Sequence, residues 1–127
     1  MRLLYSLFGS RERDMSNSHL SEKKKIFSYA EAVSLLPEVQ RLTRVAAERV
    51  EALKVGNGTP ATDLNREIDQ VVNDWANTLQ ERGIEVKGLW LVDFDNGSGY
   101  YCWRHPEPGL HFFHSYEDGF GGRIPIQ

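Results

Sequence analysis

Apolar residues recur every three or four positions from 35 to 53 and again from 64 to 79, and the period then shortens to two between 87 and 116. Two helices followed by strands are predicted. Ser28-Tyr29-Ala30-Glu31 has capping-box spacing, in which the Ser28 hydroxyl accepts a free backbone N–H and Glu31 reaches back to the N-cap, so the first helix starts here. Leu35, Val39, Leu42, Ala46 and Leu53 form its apolar stripe, with Arg41, Arg44, Glu48 and Glu51 on the remaining faces. Pro37 lacks an N–H and disfavours helical geometry at Leu36, which predicts a short turn and then a kink or restart.

Gly56-Asn57-Gly58 and Pro60 make a connection short enough to return the chain antiparallel, with Thr62 or Asp63 capping the second helix. Leu64, Ile68, Val71, Trp75 and Leu79 give its stripe, better read as core than as a cofactor box, and Gly83 supplies a left-handed stop with Ile84 packing back on Leu79. Three strands follow: Lys87 to Phe94, Tyr100 to His105 and Leu110 to Tyr116, joined by turns at 95–99 and 106–109. The expected fold is α+β, an antiparallel helical hairpin packed on a small three-stranded antiparallel β-meander, forming a single domain over residues 26–127.

A five-residue first loop would set Phe94 opposite Tyr100, and a four-residue second loop His105 opposite Leu110. One face then carries Leu91, Asp93, Tyr101, Trp103, Phe112 and His114, and the other Trp90, Val92, Phe94, Tyr100, Cys102 and Phe113. Neither reads as a solvated face, and one helical hairpin covers only one of them. A second copy of the chain is the simplest cover for the other, and a ligand cleft the next.

The chain has 127 residues, 40% hydrophobic and 26% charged, an ordinary globular balance that buries roughly two-thirds of its surface without staples. Its net charge of −3 offers no basic field to nucleic acid. A lone cysteine, Cys102, excludes an internal disulfide and a multi-cysteine zinc site and fits a reducing cytoplasm. The apolar run Leu3 to Phe8 is shorter than a secretory core of roughly 7–15 residues, so neither export nor membrane anchoring is expected. Residues 1–25 read as a disordered tail with a possible true start at Met15, the competing idea being a short partner or membrane hook through Leu3, Leu4, Leu7 and Phe8.

Candidate chemistry is sparse, and no cofactor or metal is expected. His111 and His114, three apart on a strand, point to opposite faces and cannot chelate one ion. Asp93, Tyr101 and His114 fall on one cross-strand row and could be an acid/base network or a buried polar ladder that fixes register. Asp93 and His114 are two strand spacings apart, about 10 Å of backbone, so Tyr101 is expected to bridge them. Gly119-Phe120-Gly121-Gly122-Arg123 could wrap N–H groups and a guanidinium around a small anion, but with no Lys-Ser/Thr pair and no helix following it is better read as a plain glycine turn. Cys102, set among aromatics, reads as a packed, inert thiol.

Residues 27–127 resemble a bacterial and archaeal family known only as domain of unknown function 2203. The resemblance rests on Phe27 to Val39 with Leu36-Pro37, on Leu91-Val92-Asp93-Phe94, Cys102-Trp103, Glu107 and His114, and on Gly119-Phe120 with Gly122-Arg123-Ile124-Pro125. The chain departs from the family pattern at Phe113, where tryptophan is usual, and at His105-Pro106, where a glycine-containing turn is usual. With no reaction assigned, the resemblance implies the domain limits and points to Asp93, His114 and Arg123 without giving them roles. The leading functional expectation is a non-catalytic interaction or assembly domain, a homodimer joined through the aromatic sheet and the 119–123 turn. The alternative is a small hydrolase or lyase with Asp93 or His114 as acid/base candidates and Tyr101, Glu107, Gly121, Gly122 and Arg123 around an anionic substrate group.

Overall fold

A computed structural model describes residues 25–56 and 60–127. The expected N-terminal tail, with Met15 and the Leu3 to Phe8 run, therefore lies outside the described residues except for Lys25. The capping box at Ser28 is formed: the Glu31 N–H donates to Ser28 Oγ at 3.0 Å, and the Ser28 N–H donates to Glu31 Oε1 at 2.9 Å. Helix α1 then runs over Tyr29–Lys54 as one element with Pro37 inside it, without the expected restart. Its buried line is Ala32, Leu36, Val39, Thr43, Ala46 and Val50, with Leu35, Leu42 and Leu53 packed on the flank.

Helix α2 covers Ala61–Glu81 and is preceded by Pro60, not capped by Thr62 or Asp63. Its end follows the expected pattern. Gly83 has φ +82°, the Ile84 N–H donates to Leu79 O and the Gly83 N–H to Gln80 O, which closes the last turn. Between the helices, the Trp75 indole N–H donates to the fully buried Thr43 hydroxyl at 2.8 Å, a polar pin within the apolar contact.

The sheet has five strands instead of three, all antiparallel and ordered as in the chain: β1 Glu85–Gly88, β2 Leu91–Asp95, β3 Tyr100–Arg104, β4 Phe112–His114 and β5 Ile124–Pro125. The single strand expected over Lys87 to Phe94 is broken because Trp90 takes φ +60°, turning the chain so that β1 folds back on β2. Sequence periodicity misses this: the turn is made by a tryptophan, whose ring stacks edge-on against Trp75 at 4.9 Å. β5 is two residues long and half proline, below the length at which alternation can be read.

Both hairpin registers are one residue from expectation. Asp95 pairs with Tyr100, so the first loop is four residues, not five; its tightening follows from the Asp95 carboxylate accepting the Gly97 N–H at 2.9 Å. On the other side Tyr100 pairs with His114 and Cys102 with Phe112. Each slip turns β3 over relative to its neighbour; together they offset β4 by two residues against β2, which keeps Asp93 and His114 on one face but not on the expected single row, since Asp93 lines up with Cys102 and Phe112, and His114 with Tyr100 and Asp95. The face toward the helices therefore carries Val86, Val92, Phe94 and Trp103, with Tyr101 at its margin, and Phe27 meets Phe94 edge-on at 5.4 Å. The opposite face carries Asp93, Asp95, Tyr100, Cys102, Phe112 and His114.

Candidate functional site

The outward sheet face is not solvated: Asp93, Asp95, Cys102 and His114 are all at most 4% exposed and Tyr100 is 8%. Its own chain covers it. After β4 the chain turns at Ser115, whose hydroxyl donates to Asp118 Oδ2 at 3.0 Å, and the 3₁₀ turn Phe120–Gly122 leads into β5. The Tyr116 hydroxyl returns to donate to Asp95 Oδ1 at 2.7 Å, and its ring meets Tyr100 at 5.2 Å. The reason for expecting a second copy, an apolar sheet face without a cover, is thereby removed.

Asp93 and His114 share this face and bond directly, with His114 Nε2 3.0 Å from Asp93 Oδ2. This corrects the expectation of a Tyr101 bridge. Tyr101 lies on the opposite face, its ring edge-on to Tyr29 at 5.3 Å, and on β3 Asp93 faces Cys102 while His114 faces Tyr100, so the bond runs diagonally across β3.

The hydrogen bonds define the protons. His114 Nδ1 lies 2.8 Å from the Ser115 carbonyl oxygen, which only accepts, so Nδ1 carries a hydrogen and donates it. Nε2 and Asp93 Oδ2 at 3.0 Å must then hold one proton between them, as imidazolium with carboxylate or as imidazole with carboxylic acid, with no net charge in either form. Burial pushes the Asp93 carboxyl above the ordinary carboxylate range, outweighing the opposing pull of His114, Cys102 and Lys87. Its Oδ1 is buried and has no hydrogen-bond partner among the described residues. Burial, and then the neighbouring Asp93 charge, pushes the Cys102 thiol up to about 12, against a smaller opposing effect of Arg123. Sulfur, imidazole nitrogen and carboxylate oxygen all lie within 4.8 Å of one another.

Beside this cluster Arg123 makes a two-pronged pair with Glu107, at 3.0 and 2.8 Å, and its guanidinium is clasped between the rings of Phe112 and Phe120, each 4.0 Å away. Glu107 also accepts the Arg104 N–H at 2.9 Å, while its carbonyl accepts from the Trp103 indole at 2.9 Å and the Gln40 amide at 3.3 Å. Burial alone would raise the Glu107 carboxyl, but the Arg123 bonds and the Arg104 N–H more than reverse this and hold it below the ordinary range. The same pairing keeps Arg123 charged against its own burial.

Of the residues singled out from sequence, Asp93 and His114 are together, and Glu107 and Arg123 are together next to them. Gly121 and Gly122 sit in the 3₁₀ turn, where the Gly122 N–H donates to Gly119 O and the Arg123 N–H to Phe120 O, so these two donors serve the turn. His105 lies apart, its ring near Trp103, and His111 is exposed. Cys102 is the functional candidate that sequence reasoning set aside. The signal was register: one residue's shift places it directly opposite Asp93.

Fold and site together define, among the described residues, a two-helix, five-strand α+β domain that buries a carboxylate–thiol–imidazole cluster beneath the segment that links its last two strands. A family model described as an uncharacterised conserved protein, DUF2203, matches residues 25–126, and the chain belongs to that family. No curated protein and no solved structure matches it. Among the described residues, no helix is long and apolar enough to cross a membrane.

Proposed function

We propose that the chain is a non-catalytic assembly domain that pairs with a second copy of itself through the segment covering its sheet, in a cytoplasmic setting that suits the reduced Cys102. The observation that carries this is the placement of Tyr116, Phe120 and Ile124, at 44%, 39% and 56% exposure, on one short segment around β5. Exposed Arg104 lies beside Phe120, and Glu117 and Asp118 are exposed on the same segment, so the rim carries both charges, as a two-fold self-complementary patch requires. Arg123, already neutralised by Glu107, adds no repulsion at its centre.

Light scattering of the full chain at high micromolar concentration tests this. The dimer mass is expected for the native sequence and the monomer mass for Ile124→Lys, whose side chain faces outward; a native chain that is strictly monomeric overturns the proposal.

A second reading, a small hydrolase or lyase with Asp93 and His114 as acid/base and Arg123 holding an anionic group, draws on the 3.0 Å pair. Against it, both guanidinium prongs are occupied by Glu107 and the pair is buried. Turnover of an anionic substrate, lost in His114→Gln at an unchanged melting temperature, would establish it.

A further inference from the structure

We propose that Asp93, Cys102 and His114 form a site for one zinc-like divalent cation, bound through a carboxylate oxygen, the Cys102 sulfur and His114 Nε2. Three arguments lead there, and none depends on self-association.

The first is orientation. A metal-binding histidine characteristically donates its other ring N–H to a fixed acceptor, which sets the tautomer and turns the lone pair toward the ion. His114 is held in that way by the Ser115 carbonyl at 2.8 Å, with Nε2 directed at Asp93. The second is reach. Tetrahedral coordination with bonds of about 2.0–2.3 Å separates ligand atoms by about 3.3–3.8 Å. The three candidate atoms lie within 4.8 Å, and the nitrogen–oxygen pair is at 3.0 Å, so adjustments of about 1 Å suffice. Asp93, 1% exposed, also retains one oxygen with no hydrogen-bond partner among the described residues.

The third is charge. Bound to an ion, the three ligands are a thiolate, a carboxylate and a neutral imidazole, two negative charges in all. Binding releases the thiol proton and the shared proton while three coordinate bonds form. Thiolate and carboxylate then cancel a double positive charge, so the buried face stays neutral. A monovalent or trivalent ion would leave a unit charge there. Thiolate with imidazole selects zinc or cobalt over magnesium or calcium, which take all-oxygen sites.

The test uses Co²⁺ as the probe on the metal-stripped full chain, both added to the native protein and present during refolding, so that slow passage through the cover is not mistaken for lack of affinity. One equivalent is expected, with thiolate-to-metal charge-transfer absorption and the strong visible bands of a tetrahedral ion. Cys102→Ser should remove the charge-transfer band and weaken binding by at least about a hundredfold. The His105→Ala/His111→Ala variant, which removes the two other described histidines, should bind as the native chain does. Measuring the Ile124→Lys variant as well separates this result from any change in assembly. The proposal is overturned by no uptake on refolding, by uptake without the charge-transfer band, or by binding that survives Cys102→Ser and disappears in the His105/His111 variant.

Discussion

Replacing Glu107 by Gln removes the negative half of the Arg123 pair while keeping an oxygen for the Arg104 N–H. Its cost lies between two limits. Exposed ion pairs are worth about 0–1 kcal/mol, and breaking a fully buried pair costs about 3–5 kcal/mol. Here the side chains are 12% and 21% exposed for Arg123 and Glu107, and two aromatic rings flank the cation, so about 2–3 kcal/mol is expected. At roughly 4 °C per kcal/mol for a domain of this size, the melting temperature should fall by about 8–12 °C. A double-mutant cycle with Arg123→Gln, followed by urea unfolding, should return a coupling of about 1–2 kcal/mol. The pH dependence has a definite sign. Because the folded carboxyl is held below its unfolded value, its contribution is complete above the ordinary glutamate range, about 4.3, and is lost as pH falls through the depressed folded value. The advantage of the native chain over Glu107→Gln should therefore shrink on acidification and not at neutral or alkaline pH. A coupling below about 0.5 kcal/mol, or an advantage that persists undiminished in acid, would refute the picture of a desolvated clasp.

Three further outcomes follow from single contacts. With its pKa near 12, Cys102 holds about one part in ten thousand as thiolate at pH 8, so iodoacetamide followed by mass spectrometry should label it at least about a thousandfold more slowly in the native chain than in urea; equal rates would contradict its burial. Trp75→Phe strips the donor from buried Thr43 and should cost about 1–3 kcal/mol in chemical denaturation, less when combined with Thr43→Val than the two single changes predict. Gly99→Ala would set a Cβ 2.6 Å from the Phe113 ring and 2.7 Å from the His114 carbonyl, so about 1–3 kcal/mol should be lost, whereas Gly121→Ala meets open space and should change the melting temperature little.

The helical hairpin was legible because its signals are local: the Ser28 box, the stripe of α2 and the Gly83 stop each lie within one or two turns. The sheet was legible only in outline. Its register depends on whether Asp95 belongs to the loop or to the strand, which one side-chain bond to Gly97 decides and no periodicity records. Asp93 and His114 came out on one face because two one-residue slips add to an even offset of two between β2 and β4, while Tyr101 and Cys102 exchanged places. Arg123 was picked out, but its partner could not be read from spacing, because Glu107 meets it through a turn sixteen residues earlier.

Strand order that follows chain order also means that the polar face is built from neighbours in sequence. Each strand finds its partner in the segment made just before it, so the sheet can grow by successive hairpins without waiting for distant residues. Asp93, Cys102 and His114 are all in place once β4 has paired, yet Tyr116, Phe120 and Arg123 have still to be added over them. Opening of the short segment after β4, with the first four strands still paired, would therefore expose the whole carboxylate–thiol–imidazole cluster at once, and that local opening is the route by which a reagent would reach the thiol.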